Sequence, residues 1–403
     1  MSAGTRVDAT SEKPRIHARP LSDFAVHSRS SVDPKKCPDE EFELFSIPAY
    51  DIGQPEHVRG RDIGSSKIAV EPGDVLISRI IPHIQRVWVV PDKNGKRQIA
   101  SGEWIVFRGK EIAPEFLRHM LFAKPFHDKF MQTVAGMGGS LLRARPREVA
   151  RIEIPVPTSI EEQRRIALIL DKADAIRCKC EQAVSIADDL LRSAFLDIFG
   201  DPEKNPKGFN VQQFGSLLEI PLRNGISPSS RGQVDAEVLT LSAITGNNFD
   251  SSQRKLAKFL TPISEKDEVN SSDFYICRGN GSLDLVGRGF FAHSSLSGVA
   301  FPDTMIAARP RANELLPGFL ETIWNSAFVR SQITNSARTT NGTYKINQTA
   351  TENISFMVPP LDQQLRYERV FSKVRSLKHI LMKSPHGERL LASLSQLAFG
   401  GQL

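Results

Sequence analysis

The stretch 129–147 carries Lys129, Arg143, Arg145 and Arg147 with no aspartate or glutamate among them. A second stretch, 322–351, carries Arg330, Arg338 and Lys345, again without an acid. Each surrounds a pair of small residues, Gly139-Ser140 in the first and Gly342-Thr343 in the second. Cations lacking carboxylate neighbours suit an anionic ligand, and guanidinium groups suit phosphate because they donate in a planar fork. Arg79, Arg86 and Arg97 ahead of the first pair, and Arg278 and Arg288 ahead of the second, complete the candidate anion-binding set. Gly136-Met137-Gly138-Gly139 could cradle a phosphate through backbone amides or serve as a plain loop; glycines alone do not decide. Signs of catalysis are missing by contrast. There is no phosphate loop ending Gly-Lys-Ser/Thr, no His-Glu-x-x-His, no Gly-x-Ser-x-Gly and no Asn-Pro-Pro-aromatic run of the kind that holds a target amine for methylation. Pro91-Asp92 and Glu103 are similar to the carboxylates of a Mg²⁺-dependent nuclease, but Ile105 stands where the lysine is expected. The histidines are scattered, and Cys178 and Cys180, two apart on a helix, point to different faces. The expectation is a non-enzymatic chain with no metal or cofactor of its own.

The elements that position these cations come in two copies. Leu190-Leu191-x-Ser193 followed by Phe199-Gly200 recurs as Leu390-Leu391-x-Ser393 followed by Phe399-Gly400. Gly73-Asp74-Val75-Leu76-Ile77-Ser78-Arg79 has an echo in Ser272-Asp273-Phe274-Tyr275-Ile276-Cys277-Arg278. Pro114-Glu115-Phe116-Leu117 returns as Pro317-Gly318-Phe319-Leu320, and Ile160-Glu161-Glu162-Gln163-x-Arg165 as Leu361-Asp362-Gln363-Gln364-x-Arg366. Two copies of one unit suit a target with two half-sites, whereas a single catalytic pocket needs no such repetition.

Composition sets the frame. The chain has 403 residues, 40% of them hydrophobic, and a net charge of +6, which is ample for packed cores and compatible with nucleic acid. No apolar run is long enough for a membrane span and no apolar leader follows Met1, so a cytoplasmic protein with reduced thiols is expected. Residues 1–35 read as a loosely ordered polar lead-in. Residues 36–158 read as a first α+β domain, with strands at Val75-Leu76-Ile77, Val87-Trp88-Val89-Val90, Trp104-Ile105-Val106-Phe107 and Ile152-Glu153-Ile154-Pro155. Asn94-Gly95 signals a hairpin turn, and 114–134 reads as one helix opened by Pro114. Residues 159–200 read as a long helix, since 161–199 contain neither Gly nor Pro. Residues 201–360 repeat the first domain, and 361–403 form a second long helix, interrupted at Pro385 and Gly387. Ile166, Ile169, Ala173, Ile176, Ala183, Ala187 and Leu190 fall at alternating 3,4 spacing, as do Val370, Val374, Leu377 and Leu381. The predicted fold class is therefore α+β: two similar domains separated by two long antiparallel helices forming a coiled coil. The same residues are the predicted helix–helix or subunit interface.

At these residues the chain resembles the specificity subunit of type I restriction–modification enzymes. The most specific block is Ile154-Pro155-Val156-Pro157 followed by Ile160-Glu161-Glu162-Gln163-Arg164-Arg165-Ile166-Ala167. It is similar to the family's proline pair and Leu-x-Glu-Gln-x-x-Ile, where a target recognition domain ends and a long helix begins. Phe195-Leu196-Asp197-Ile198-Phe199-Gly200-Asp201-Pro202 and the ending Ala398-Phe399-Gly400-Gly401-Gln402-Leu403 continue the likeness from about Glu43 onward. Gln363-Gln364-Leu365 departs from Glu-Glu-Gln-Arg, and Pro385-His386-Gly387 breaks a helix that the family keeps continuous. The resemblance implies a sequence-reading subunit on double-stranded DNA with a split target. It implies methyltransferase subunits carrying S-adenosylmethionine and a restriction and translocation subunit using ATP and Mg²⁺, all on partner chains. A DNA-binding adaptor of another defence system, a protein-binding coiled-coil scaffold and a nuclease carrying its own site are the alternatives.

Overall fold

A computed structural model describes residues 16–26, 31–135, 142–340, 342–383, 388–400 and 402. The chain divides into two compact units, the first made of residues 1–182 and 381–403, the second of residues 183–380.

In the first unit the strands Val75–Ser78, Val87–Val89 and Trp104–Phe107 form an antiparallel sheet with Val75–Ser78 at its centre. All four residues of Val75–Ser78 are buried. Successive side chains of a strand face opposite ways, so this apolar run supplies two cores. Val75 and Ile77 join Phe116, Leu117 and Met120 of the helix Pro114–Phe122. Leu76 joins Phe45, Val90, Trp104 and Val106 on the other face. Beyond that second core lies a five-stranded sheet in which Glu41–Phe45 runs parallel to Arg97–Ala100.

The second unit repeats this plan. Phe274–Cys277 lies between Gly289–Phe291 and Met305–Pro310. Phe274 and Ile276 enter one core with Phe319, Leu320 and Trp324; Tyr275 and Cys277 enter another with Leu239, Phe249 and Phe301. The parallel pair recurs as Val234–Leu239 with Leu296–Ala300. Each unit also buries an aspartate against arginine: Asp74 accepts from Arg108 at 2.6 and 2.7 Å, and Asp273 accepts from Arg309 at 2.8 Å and from Arg223.

The closest correspondence is a pair of glutamines. Gln163 is fully buried; its Oε1 accepts from the Ala113 amide at 2.7 Å, and its Nε2 donates to the carbonyls of Glu111 at 3.0 Å and Pro157 at 2.8 Å. Gln364, also fully buried, makes the same three bonds to Leu316, Glu314 and Pro359 at 2.9, 2.9 and 2.8 Å. The glutamine thus ties the start of each long helix to the loop before the helix Pro114–Phe122 or Pro317–Trp324. In this respect the second copy is not weakened, although its neighbouring residues differ from Glu-Glu-Gln-Arg.

Four expectations need correction. Residues 16–24 of the predicted lead-in are structured: Ile16–Pro20 pairs antiparallel with Glu153–Pro157, and Leu21 and Phe24 are buried in the core. The polar composition hid two large apolar residues spaced to reach one pocket. Asn94-Gly95 is not a hairpin tip; Gly95 takes φ +77°, but the strands on either side belong to different sheets. The single helix 114–134 is two, Pro114–Phe122 and Lys124–Gln132, with Ala123 extended between them. Pro125 lacks an amide hydrogen and its ring crowds the preceding turn, so one helix cannot run through it.

The fourth concerns the long helices. Ile160–Phe199 is continuous over 40 residues, and Gly200 at φ +82° ends it. Leu361–Lys383 and Glu388–Phe399 follow the second domain; Pro385-His386-Gly387 lies outside the described residues. The buried faces belong to the units themselves. Ile166, Ala167, Leu170 and Ala173 are buried, the first three within the first unit's core, and Phe195 and Phe199 enter the second unit's core with Tyr367 and Phe371. Ala187 and Val374 are buried; Ile169, Ala183, Val370 and Leu381 are partly so. Ile176, Leu190 and Leu377 are exposed at 40%, 52% and 50%. A helix laid on a broad core needs a wide stripe at period 3.6, not the narrow seam of strict 3,4 spacing. Within the second unit the helices run antiparallel, since Asp188 pairs with Lys378 while Phe199, further along, meets Tyr367 edge-on.

Candidate nucleic-acid interface

The repeat carries the candidate cations into one equivalent place in each unit. In the first, Arg79 follows the central strand Val75–Ser78, and its amide donates to the Glu103 carbonyl at 2.9 Å. Its own carbonyl accepts from the Ala144 amide at 2.8 Å, which lays the strand Arg143–Ala144 alongside. Val134–Ala135 pairs with Arg143–Ala144 on the other side. In the second unit Arg278 follows the central strand Phe274–Cys277, its amide donating to the Thr304 carbonyl at 2.9 Å and its carbonyl accepting from Ile346 at 2.9 Å. There Gly279–Asn280, Thr343–Lys345 and Arg338–Thr340 form a three-stranded sheet, with Gly279, Lys345 and Arg338 in one row across it. By these bonds Arg79 corresponds to Arg278, Arg143 to Lys345, Ala135 to Arg338 and Glu103 to Thr304.

The two places differ in charge. In the first unit Glu103 sits between two guanidiniums, with Arg79 Nε at 3.2 Å and Arg143 Nε and Nη2 at 3.2 and 3.0 Å. Burial works against the charged form of Glu103, but the hydrogen bonds from Arg143 and Arg79 outweigh it and hold the carboxyl below its usual range. Arg145 pairs with Glu148 at 2.7 Å. An open groove is lined by Arg79, Arg143, Arg145, Arg147, Ala135 and Glu148. The stretch that lacks acids in sequence is thus supplied with them in space. In the second unit Arg338 and Lys345 are exposed, and among the described residues neither they nor Arg278 pair with a carboxylate. The Arg278 guanidinium donates to the Asp303 carbonyl at 3.1 Å. Gly342, at φ +73°, makes the turn that presents Lys345 opposite Arg338, and Thr343 is half-buried within it.

The other candidates fall elsewhere. Arg86 is buried and grips Asp51 with two bonds of 2.7 and 3.0 Å, so it serves the fold. Arg288 donates to the carbonyls of Thr245 and Gly246 at 2.9 and 3.1 Å, bracing a loop. Arg97 is exposed on the five-stranded sheet, 3.8 Å from Glu40. Gly139 and Ser140 lie outside the described residues. Arg147 of the acid-free stretch joins the groove, but sequence reasoning passed over Glu103 as a partner for arginine; Asp92 is exposed, and no group of three or more metal-binding side chains occurs among the described residues. Glu103 is 24 residues from Arg79 and 40 from Arg143, and only the sheet brings them together.

Comparison with known proteins places this geometry in context. No protein-family model matches the chain. It is 26% identical over 316 residues to the type I restriction enzyme StySPI specificity subunit of Salmonella potsdam, covering 73% of this chain and 66% of that protein, just under two thirds of its length. Its fold is similar to the type I restriction–modification S subunit from M. genitalium, with TM-score 0.58, 12% identity and coverage of 98% and 96% of the two chains. It is also similar to a chain from a study of complex assembly and conformational transition in the type I R-M system, with TM-score 0.51, 20% identity and coverage of 96% and 98%. The resemblance drawn from the motifs is borne out in sequence and in fold.

Proposed function

We propose that this chain is the DNA-recognition subunit of a type I restriction–modification complex, each unit reading one half of a bipartite duplex target. The observation that carries the reading is the recurrence of one basic element, Arg79 with Arg143 and Arg278 with Lys345, at the same place in two copies of one fold. Phosphate contacts from such cations fix register, and a subset of side chains reads base edges. The long helices act as the antiparallel spacer between half-sites. They also dock the methyltransferase subunits, which carry S-adenosylmethionine, and a restriction and translocation subunit, which uses ATP and Mg²⁺, joins the assembly. Ile186, Leu190, Leu377 and Ile380, exposed at 68%, 52%, 50% and 64% on the second unit's helices, supply an apolar face for a partner subunit. The chain itself performs no chemistry, and the complex works in the cytoplasm.

Binding of the full chain to duplex DNA, titrated with salt, tests the reading. Removing a phosphate-contacting cation lowers the slope of log affinity against log salt by about one. Lys345→Ala and Arg338→Ala are expected to do so, and incubation of the chain with S-adenosylmethionine or Mg²⁺ is expected to leave the DNA unchanged. Failure of the chain to retain duplex DNA, or turnover proportional to this chain, overturns it.

A further inference from the structure

The two basic elements correspond bond for bond, but the first holds a carboxylate where the second holds a hydroxyl. Glu103 and Thr304 occupy the same backbone position, each accepting from the amide of the first arginine after the central strand. Glu103 engages both Arg79 and Arg143, while Thr304 is exposed and Arg278 turns to a backbone carbonyl. In the first unit a phosphate that is to bind Arg79 or Arg143 must displace a carboxylate already bound to both guanidiniums. One approaching the second unit meets cations that no carboxylate among the described residues neutralises.

We propose that Glu103 is a specificity-determining residue of the first unit: it withholds Arg79 and Arg143 from the phosphates of arbitrary sequences, so that only a target offering further contacts recruits them. The proposal rests on the DNA-recognition reading above. Non-specific affinity for DNA comes from cations that neutralise phosphates, whatever the bases. A protein that must discriminate gains by penalising the wrong partner as much as by favouring the right one. A carboxylate between two arginines is such a penalty, and it keeps the guanidiniums oriented until they are needed. The second unit then supplies most of the sequence-independent grip, and the first supplies discrimination.

The test exchanges the two positions in the full chain. Duplexes bound by the unaltered chain are first selected from a random-sequence pool, and affinity is then measured for the selected duplex and for the unselected pool across a salt series. Glu103→Thr and Glu103→Gln are expected to strengthen binding to the unselected pool by about tenfold and to steepen its salt slope by about one to two, one for each arginine released. Affinity for the selected duplex changes less, so the ratio between the two falls. Thr304→Glu is expected to do the reverse, weakening binding to the pool and flattening its slope. It supplies an independent reading if a Glu103 variant folds poorly, which a thermal melt reveals. Pool affinity and slope unchanged in the folded variants overturn the role of Glu103 while leaving DNA recognition intact. If the unaltered chain enriches no sequence, the DNA-recognition reading itself fails and this proposal with it.

Discussion

Replacing Gln163 with methionine isolates the work of one buried amide. Methionine nearly matches glutamine in length and volume, so the change opens little cavity and removes only the hydrogen-bonding head. Three backbone groups then lose a partner: the Ala113 amide and the carbonyls of Glu111 and Pro157. Glu111 is exposed, so water can rebind its carbonyl, but Ala113 and Pro157 are buried. Each buried group left without a partner costs about 1–3 kcal/mol, which puts the loss near 4 kcal/mol within a range of about 2–6 kcal/mol. That is a large share of the roughly 5–15 kcal/mol by which a domain is held folded. For a unit of this size it corresponds to a fall in melting temperature of about 8–16 °C. Urea and thermal melts, followed by near-ultraviolet circular dichroism, measure it. Gln364→Met is expected to cost the second unit a similar amount, because its three bonds are the same. A loss below about 1 kcal/mol in both variants refutes the reasoning, for it would mean that the loops relax or hydrate at no cost.

Three further outcomes are expected. Burial raises the pKa of Glu368, whose carboxylate accepts from the Gly318 amide at 2.7 Å. A folded-state value above the unfolded one gives stability that is present below the ordinary carboxylate range and lost as pH rises through the folded value. Glu368→Gln, which keeps an acceptor for Gly318, should therefore gain stability relative to the parent as pH rises above the ordinary carboxylate range; a gap that does not widen with pH refutes it. Leu170→Asp buries a charge and is expected to unfold the first unit, whereas Ile176→Asp at an exposed position should shift stability by less than about 1 kcal/mol, and equal effects in melting experiments would contradict the assigned helix face. Ile186→Asp and Leu190→Asp are expected to leave folding intact and to abolish association with the proposed methyltransferase subunits; normal co-purification would place the docking face elsewhere.

Much of the fold was legible because the informative residues are neighbours in the chain. The strands around Leu76 and Trp104 were marked by β-branched and aromatic runs, and the Gly/Pro-free stretch marked the long helix. The repeat located the basic elements, since Arg79 and Arg278 close the same strand in both copies. What stayed hidden depends on separation in sequence. The glutamine motif announced a helix start, but its role as a clamp rests on partners about 50 residues back. Acid-free stretches promised open cations, yet Glu103 reaches Arg143 across 40 residues of chain. The 3,4 spacing was real but ambiguous: Ile169 and Ala173 share an edge with the buried stripe, while Ile176 and Leu190 have rotated out of it. Spacing gives the width of an apolar face and not its partner.

The composition of the first unit has a consequence for how the chain reaches its native state. Ala398 is buried in that unit's core, with Leu391 and Leu394 packed against it. The helix Glu388–Phe399 that carries them is made after every residue of the second unit. During synthesis the second unit can therefore close around a continuous stretch of chain as soon as residue 380 is available, while the first, begun earlier, waits for its last segment. Contacts of such long span close slowly, because the loop entropy is lost before the contact rewards it. The half that leaves the ribosome first is the half completed last, and until then it exposes the apolar surface on which Leu391, Leu394 and Ala398 will sit.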